Sequence, residues 1–376
     1  MGNVKKKVVV VTGISIISCL GNTKQTWEGI IQGKSGIRMH QPFSCFPPLP
    51  LGMINPKPTP IEDLTVSLIE QLCQDALLSI PQKEIAVVIG SSRGCQSNWE
   101  LFLRQSIHPS NWLNTLPCQP AIITAKYLQS EGAVLSPANA CATGLVAIAQ
   151  GYELIQQNIC DKVVVGGLDS AITPLTIAGF IQMKAMSGRG CYPFAKKRDG
   201  FVLAEGGAML LLESLEEAEK RGAKIYGRIY SWGISCDAQQ LTAPAADGIT
   251  ATRMIEDCLR RSGISPSDID YIHAHGTGTV LNDEREAKII QSLFPHSFVS
   301  STKCYTGHTL GGAGAITTAL NFLALQKQLL LPQTAEMELE FPLNFVTQPR
   351  LLPLRIMLSL AFGFGGQNAV VVMGRL

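Results

Sequence analysis

The stretch Ser136-Pro-Ala-Asn-Ala-Cys141-Ala-Thr-Gly-Leu-Val-Ala-Ile-Ala-Gln-Gly-Tyr-Glu-Leu-Ile-Gln-Gln157 decides how the rest of this 376-residue chain is read. A short apolar run, Ala133 to Leu135, leads into small turn residues. A segment apolar on nearly every face follows, with Glu153 as its only charge, which predicts a buried helix. Cys141 stands where that helix should begin. The positive end of a helix dipole and unpaired backbone N–H groups lower a thiol pKa there. The small neighbours Ala140, Ala142, Thr143 and Gly144 leave room for a substrate and for the Cys141 N–H to serve an oxyanion. The pattern offers a nucleophile; a packing cysteine is the other reading, because free cysteine is among the most buried residue types.

Working outward, 46% hydrophobic content over this length buries one large core or two fused ones. A net charge of +2 with 6% aromatic residues supplies neither a basic stripe nor a stacking platform, so nucleic acid is a poor partner. Eleven cysteines without a repeated spacing read as reduced thiols of a cytoplasmic protein, and no CxxC or Cys/His cluster points to a metal. Lys5, Lys6 and Lys7 before four valines imitate a signal peptide, but Thr12-Gly13 ends the run too early for one. The uncharged stretches Gly132 to Tyr152 and Cys304 to Gln326 are broken by Pro137 and by Gly307, Gly311, Gly312 and Gly314. They read as core helices rather than membrane spans.

Residues 8 to 12 predict a strand followed by a turn at Thr12-Gly13, and Lys24 to Gly33 a helix capped near Asn22 or Thr23. Gly29, Gly33, Lys34 and Ser35 imitate a phosphate loop with the wrong spacing and no strand before it. Phe43 to Pro60 predicts loop, Leu64 to Leu78 helix, and Glu84 to Ile89 a buried strand. Gln96 to Gln119 reads as irregular, with Trp99 and Trp112 covering the core. Strands follow at Lys162 to Val165 and Leu210 to Leu212. The charged segment Glu213 to Arg221, closed by Gly222, reads as the most solvated helix. It divides a half at 1–222, holding Cys141, from a half at 223–376.

The second half repeats the first faintly: Lys224 to Cys236 opens it as Lys7 to Ser15 opens the chain, and Val299 to His308 leads into a Gly/Ala-rich apolar helix. Alternating strands and helices predict α/β layers, with two strand-turn-helix corners facing across a pseudo-dyad. Tyr271-Ile-His273-Ala-His275-Gly-Thr-Gly-Thr279 ends a strand in a polar loop, where functional groups sit. Either histidine qualifies there, and at least one could simply be packed. His308 falls at a helix start, which disfavours protonation, and a neutral imidazole can donate to an oxyanion.

At these residues the chain resembles the elongating β-ketoacyl-acyl carrier protein synthases, the condensing enzymes of fatty acid and polyketide assembly. The motifs are Ala140-Cys141-Ala-Thr-Gly144, Arg198-Asp-Gly-Phe201, Asp237-Ala238 with Leu241-Thr-Ala-Pro244, Ala274-His275-Gly-Thr-Gly-Thr279, Ser301-Thr-Lys303-Cys-Tyr-Thr-Gly-His308 and Phe362-Gly-Phe-Gly-Gly-Gln-Asn368. The resemblance implies a thiolase-like five-layer αβαβα fold of two similar halves. Cys141 would accept the acyl group from acyl carrier protein, and His275 and His308 would bind and decarboxylate the malonyl thioester. Lys303 and Glu286 would support the histidines, and Phe364 would gate the site and give the second oxyanion N–H. No cofactor or metal is implied. The assembly implied is a homodimer, or a heterodimer with a related ketosynthase subunit.

The chain departs from the family pattern at Ala195, Gly278 and Gln367, where aspartate, serine and threonine are common, and in a shortened segment from Trp99 to Tyr127. That segment normally lines the acyl pocket and the dimer contact, so an unusual primer preference is expected. Two other activities fit the resemblance: a decarboxylating or initiating acyltransferase, and a non-catalytic partner subunit, which usually lacks the cysteine.

Overall fold

The computed structural model describes residues 6–106, 108–334 and 338–376; Lys5, the first residue of the basic run, lies outside them. The first half builds β1 (Val9–Ser18), β2 (Ala86–Gly90), β3 (Val134–Leu135), β4 (Lys162–Asp169) and β5 (Gly206–Ser214), in the order β3-β2-β4-β5-β1. The second half builds β6 (Gly227–Cys236), β7 (Tyr271–His273), β8 (Phe298–Ser300), β9 (Asn344–Phe345), β10 (Ile356–Gly363) and β11 (Gln367–Gly374), in the order β9-β8-β7-β10-β11-β6. Apart from the extra edge strand β9 the two orders match, including which strands run parallel. The half-sheets join where Val9–Val11 of β1 pairs antiparallel with Gly227–Ile229 of β6.

Helices fill three layers around these sheets. α1 (Ile61–Ala76) and α2 (Gln119–Leu128) pack on the outer face of the first half-sheet. α3 (Thr143–Gln156) lies between the half-sheets; α4 (Pro174–Gln182) follows β4. On the outer face of the second half-sheet lie α5 (Ile249–Ser262) and α6 (Val280–Leu293), and α7 (Ala313–Lys327) returns to the centre beside α3. A helix apolar all round has to be buried on every side, which is what the sequences of α3 and α7 dictate. Their crossing depends on glycine: a Cβ on Gly144 would stand 2.5 Å from the Ala315 backbone nitrogen, and one on Gly314 2.8 Å from Leu145 Cγ. The fold is therefore the five-layer α/β arrangement expected, and it brings the N-terminal ends of α3 and α7 together.

Several local expectations are corrected. Thr12-Gly13 is not a turn: β1 continues through it to Ser18, with a shift in register against β5 between Val11 and Gly13. The first helix is Thr23–Ile31, ending two residues sooner than expected, while Asn22 caps it as expected, in a reciprocal box with Gln25. The span from 96 to 119 holds a helix, Gln96–Leu103, and a 3-10 turn, Pro109–Thr115. Trp99 and Trp112 are 47% and 54% exposed, so they lie on the surface and do not cover the core. Glu213 is not solvated. It lies fully buried one residue before the end of β5, held by Arg221 at 2.6 Å and by the Thr12 hydroxyl, a pairing that offsets the cost of burying its charge. The helix after it is only Leu215–Lys220. Among the described residues no helix is long and apolar enough to cross a membrane.

Candidate active site

Cys141 occupies a 3-10 turn, Ala140–Ala142, immediately before α3, with Ala140 held at φ +48°. Its side chain is buried among Phe201, Leu203, Ile172 and Leu310. Burial pushes the thiol up to about 12, against the lowering effects of the Lys303 charge and of the N–H groups of Phe364 and Cys141 itself; Asp169 pushes it further up. The lowered thiol pKa expected from a helix start is thus overturned. The helix start faces a dry interior between the half-sheets, where losing hydration outweighs a dipole.

His275 lies two residues past the end of β7, and His308 lies between the short helix Lys303–Thr306 and the 3-10 turn Leu310–Gly312. The Cys141 Sγ and a ring nitrogen of each histidine all lie within 4.8 Å of one another. The two imidazoles meet edge to face, centroids 5.3 Å apart. Burial first and the Lys303 ammonium second hold both well below the ordinary imidazole value. They are neutral, as expected for His308, although burial rather than a helix terminus is the main cause. His308 Nδ1 is buried and has no hydrogen-bond partner among the described residues.

His273 is the packed histidine of the pair. Its Nδ1 lies 3.0 Å from Asn321 Oδ1 and its Nε2 3.0 Å from the Thr302 hydroxyl. Asn321 spends its amide donors on Ser359 and Leu358, so its oxygen accepts from His273 Nδ1–H and Nε2 is left to accept from Thr302. Burial lowers the His273 pKa to about 3.

The His275 loop is held by its backbone. Glu286 of α6 accepts the His275 and Gly276 N–H groups at 2.6 and 2.7 Å, and Lys303 Nζ donates to the His275 carbonyl. Burial raises the Glu286 carboxyl to about 7 and lowers the Lys303 ammonium, while each charge partly offsets the shift of the other. Sequence reasoning missed two further carboxylates. Asp283 accepts from Thr277, Gly278 and Phe194 N–H groups; its place in the first turn of α6 was the available signal. Asp169, at the end of β4, accepts from Ser91, Ser92, Arg93 and Gly311 beneath Cys141, and nothing in the sequence marks it.

Phe364 rides the glycine turn between β10 and β11. Its ring stacks on Phe180 at 5.9 Å, and Phe180 packs edge-on against Phe201 at 5.0 Å. Gln367, one of the departures, accepts from the Asn139 amide at 3.0 Å and so ties this turn to the Cys141 turn. A cavity of about 230 Å³ joins Cys141, both histidines and Phe364 to a mouth at Val280 and Leu281; neither tryptophan lines it. This is small beside typical ligand pockets of about 300–1,000 Å³. A thiol, two neutral imidazoles and two N–H groups converge on one buried point. Such a set can form a thioester and hold the oxyanions of acyl transfer.

Residues 59–218 match the family model for the beta-ketoacyl synthase N-terminal domain, and residues 226–337 the model for its C-terminal domain. The chain belongs to the β-ketoacyl synthase family. This synthase is 36% identical to a 3-oxoacyl-[acyl-carrier-protein] synthase 2 of Synechocystis sp. over 419 aligned positions, covering 99% of both chains. It is 34% identical to the enzyme of that name from Coxiella burnetii, again over 99% of both. Its backbone superposes with a TM-score of 0.92 on a chain of a type II polyketide acyl-carrier protein–ketosynthase complex bound to the hexaketide, at 28% identity and covering 99% of this chain and 100% of that one. The ishigamide ketosynthase/chain length factor gives 0.91 at 26% identity, covering 99% and 100%. The alignment to the Synechocystis relative is longer than this 376-residue chain, so the relative carries segments that this synthase lacks.

Proposed function

We propose that this synthase elongates a fatty acyl or polyketide chain by two carbons, condensing an acyl group held on Cys141 with malonyl-acyl carrier protein. In the first step Cys141 Sγ attacks the acyl-carrier thioester. The C–S bond to Cys141 forms, the bond to the carrier thiol breaks, and the thiol proton passes through a neighbouring neutral imidazole to the departing carrier sulfur. In the second, the malonyl thioester oxygen is held by N–H donors of His275 and His308. The bond to the carboxylate breaks, carbon dioxide leaves, and the resulting enolate attacks the acyl carbonyl. The oxygen of that carbonyl is held by the N–H groups of Cys141 and Phe364 while the C–S bond breaks; Cys141 leaves as a thiolate and takes one proton from solvent to return to the thiol. Lys303 and Glu286 position the His275 loop, and Phe364 gates the acyl channel.

The observation that carries this reading is the convergence of both neutral histidines and of the Phe364 and Cys141 N–H groups on the Cys141 sulfur. Incubation with acyl- and malonyl-carrier protein, read by mass spectrometry, is expected to give a β-ketoacyl product two carbons longer than the primer. Conversion of malonyl to acetyl groups with no longer product would instead identify a decarboxylating acyltransferase.

The partner surface for a homodimer in this reading is the free edge of β3. Val134 and Leu135 are 41% and 38% exposed on an unpaired strand edge, an arrangement that invites pairing with a second copy. Light scattering is expected to report twice the 40.5 kDa chain mass, and a monomer would remove the proposal.

A further inference from the structure

Arg285 is not used by the chemistry above, yet it stands in the wall of the cavity beside it. It projects from the first turns of α6, one residue before Glu286, and is paired with Asp237 at 2.7 Å. Their side chains are 3% and 1% exposed, which makes this the most buried ion pair among the described residues. Such pairs seldom repay their desolvation as stability, so conformational control is the use to look for.

The connections around it are cyclic. Arg285 Nη1 donates to Asp237 Oδ2, Arg285 Nη2 to Asn368 Oδ1 at 3.1 Å, and Asn368 Nδ2 to Asp237 Oδ1 at 2.7 Å. Two loops hang from this ring. Asn368 lies four residues past Phe364, and the Asp237 N–H donates to Gly366 at 2.9 Å, which fixes one limb of the Phe364 turn. Asp237 Oδ2 also accepts from Ala245 N at 3.1 Å, anchoring the loop after β6; that loop reaches back through the Leu241 carbonyl, which accepts from Gly365 N at 2.7 Å. On the other limb the guanidinium lies over the Phe362 ring, 4.6 Å from its centroid.

We propose that Arg285 is the positioning residue that holds the Phe364 turn closed, and that it thereby sets how readily the channel opens to a long acyl chain. Moving the turn carries Phe364 away from Phe180, and among the described residues the hydrogen bonds that tie this turn to α6 run through the Arg285 guanidinium. A lysine keeps the ion pair but cannot also reach Asn368, because the two contacts need the guanidinium fork. The inference rests on the reading of Phe364 as a gate.

The test is the rate of alkylation at Cys141, followed by peptide mapping, with two reagents: iodoacetamide, which fits the closed cavity, and a maleimide carrying an octyl chain, which does not. The proteins are wild type, Arg285→Lys, Arg285→Met, the charge-neutral double variant Arg285→Met/Asp237→Asn, and Phe364→Ala. The double variant guards against misfolding from an unpaired buried Asp237, and denaturation midpoints check that each protein is folded. The expected result is octyl-maleimide reaction about tenfold faster in the double variant, a free-energy change of about 1.4 kcal/mol in the closed state. Arg285→Lys should be intermediate, and the iodoacetamide rate should change by less than about twofold. An unchanged octyl rate in a folded double variant, with Phe364→Ala accelerated, would overturn the clamp alone. No acceleration in Phe364→Ala would overturn the gate, and the clamp with it.

Discussion

The N-terminal corners of α3 and α7 are built alike and used differently. Each central helix is entered through a three-residue 3-10 turn, Ala140–Ala142 in one half and Leu310–Gly312 in the other, and the first residue of each has φ +48°. The second residue is Cys141 in one turn and Gly311 in the other. Cys141 projects its sulfur toward the histidines of the opposite half. Gly311 donates its N–H to Asp169 at 2.7 Å, and a Cβ there would lie 2.8 Å from both the Asp169 carboxylate and the Ser92 backbone nitrogen. A left-handed residue before a buried helix is therefore a property of the fold, and reactivity depends on which side chain stands next. In one corner the position carries a thiol that meets two imidazoles; in the other it lets a buried carboxylate brace the floor.

This comparison can be broken in four places. The largest effect is expected at Cys141→Ala, where condensation should fall below detection while the denaturation midpoint holds, because a buried sulfur is replaced by a smaller apolar group. Residual condensation would move the nucleophile to another cysteine. Next, His275→Ala and His308→Ala should each slow malonyl decarboxylation about 10²- to 10³-fold, the usual cost of one lost oxyanion donor, while Cys141 is still acylated. A near wild-type rate for either would make that histidine structural. At the other corner, Gly311→Ala should destabilise by about 1–3 kcal/mol through overpacking, seen as a lower urea midpoint. An unchanged midpoint would show that the Asp169 floor yields.

The smallest effect separates His273 from His275, its neighbour in the cavity wall. Its folded-state pKa of about 3 lies below the unfolded 6.5, so below pH 6.5 the unfolded chain takes up a proton that the folded chain refuses. Wild-type stability is undiminished by this site above 6.5 and lost progressively as pH falls. His273→Asn removes that titration. The stability deficit of the variant should therefore narrow by about 1 kcal/mol between pH 6.5 and about pH 5.5, measured by paired urea titrations. A constant deficit would mean that His273 titrates normally.

The layers, the two central helices and the facing of their corners were legible because they rest on apolar periodicity and on polar residues at strand ends; the choice of His275 over His273 as the histidine that meets Cys141 and His308 came from the family resemblance, because spacing left either open. The charged groups were less so. Glu213 reads as solvated and is buried, because a strand continues through it and Arg221 returns from eight residues away. Asp169 and Arg285 carry no local mark, and Asp283 only its place in the first turn of α6: the partners of the first two lie on other elements, and only the assembled fold brings those donors to one carboxylate or one guanidinium. The Cys141 thiol failed in the opposite direction, since a helix start announces itself in sequence while the depth of burial does not.

The division of labour between the corners is tested most directly by mapping the acyl adduct. The synthase is mixed with acyl-carrier protein without malonyl groups, quenched in acid and digested, and the acylated peptide is identified by mass spectrometry. The expected result is one thioester-linked acyl group on the peptide containing Cys141, absent in Cys141→Ala and discharged as a two-carbon-longer product when malonyl-carrier protein is added. An adduct on any other residue, or an adduct on Cys141 that malonyl-carrier protein cannot discharge, would contradict it.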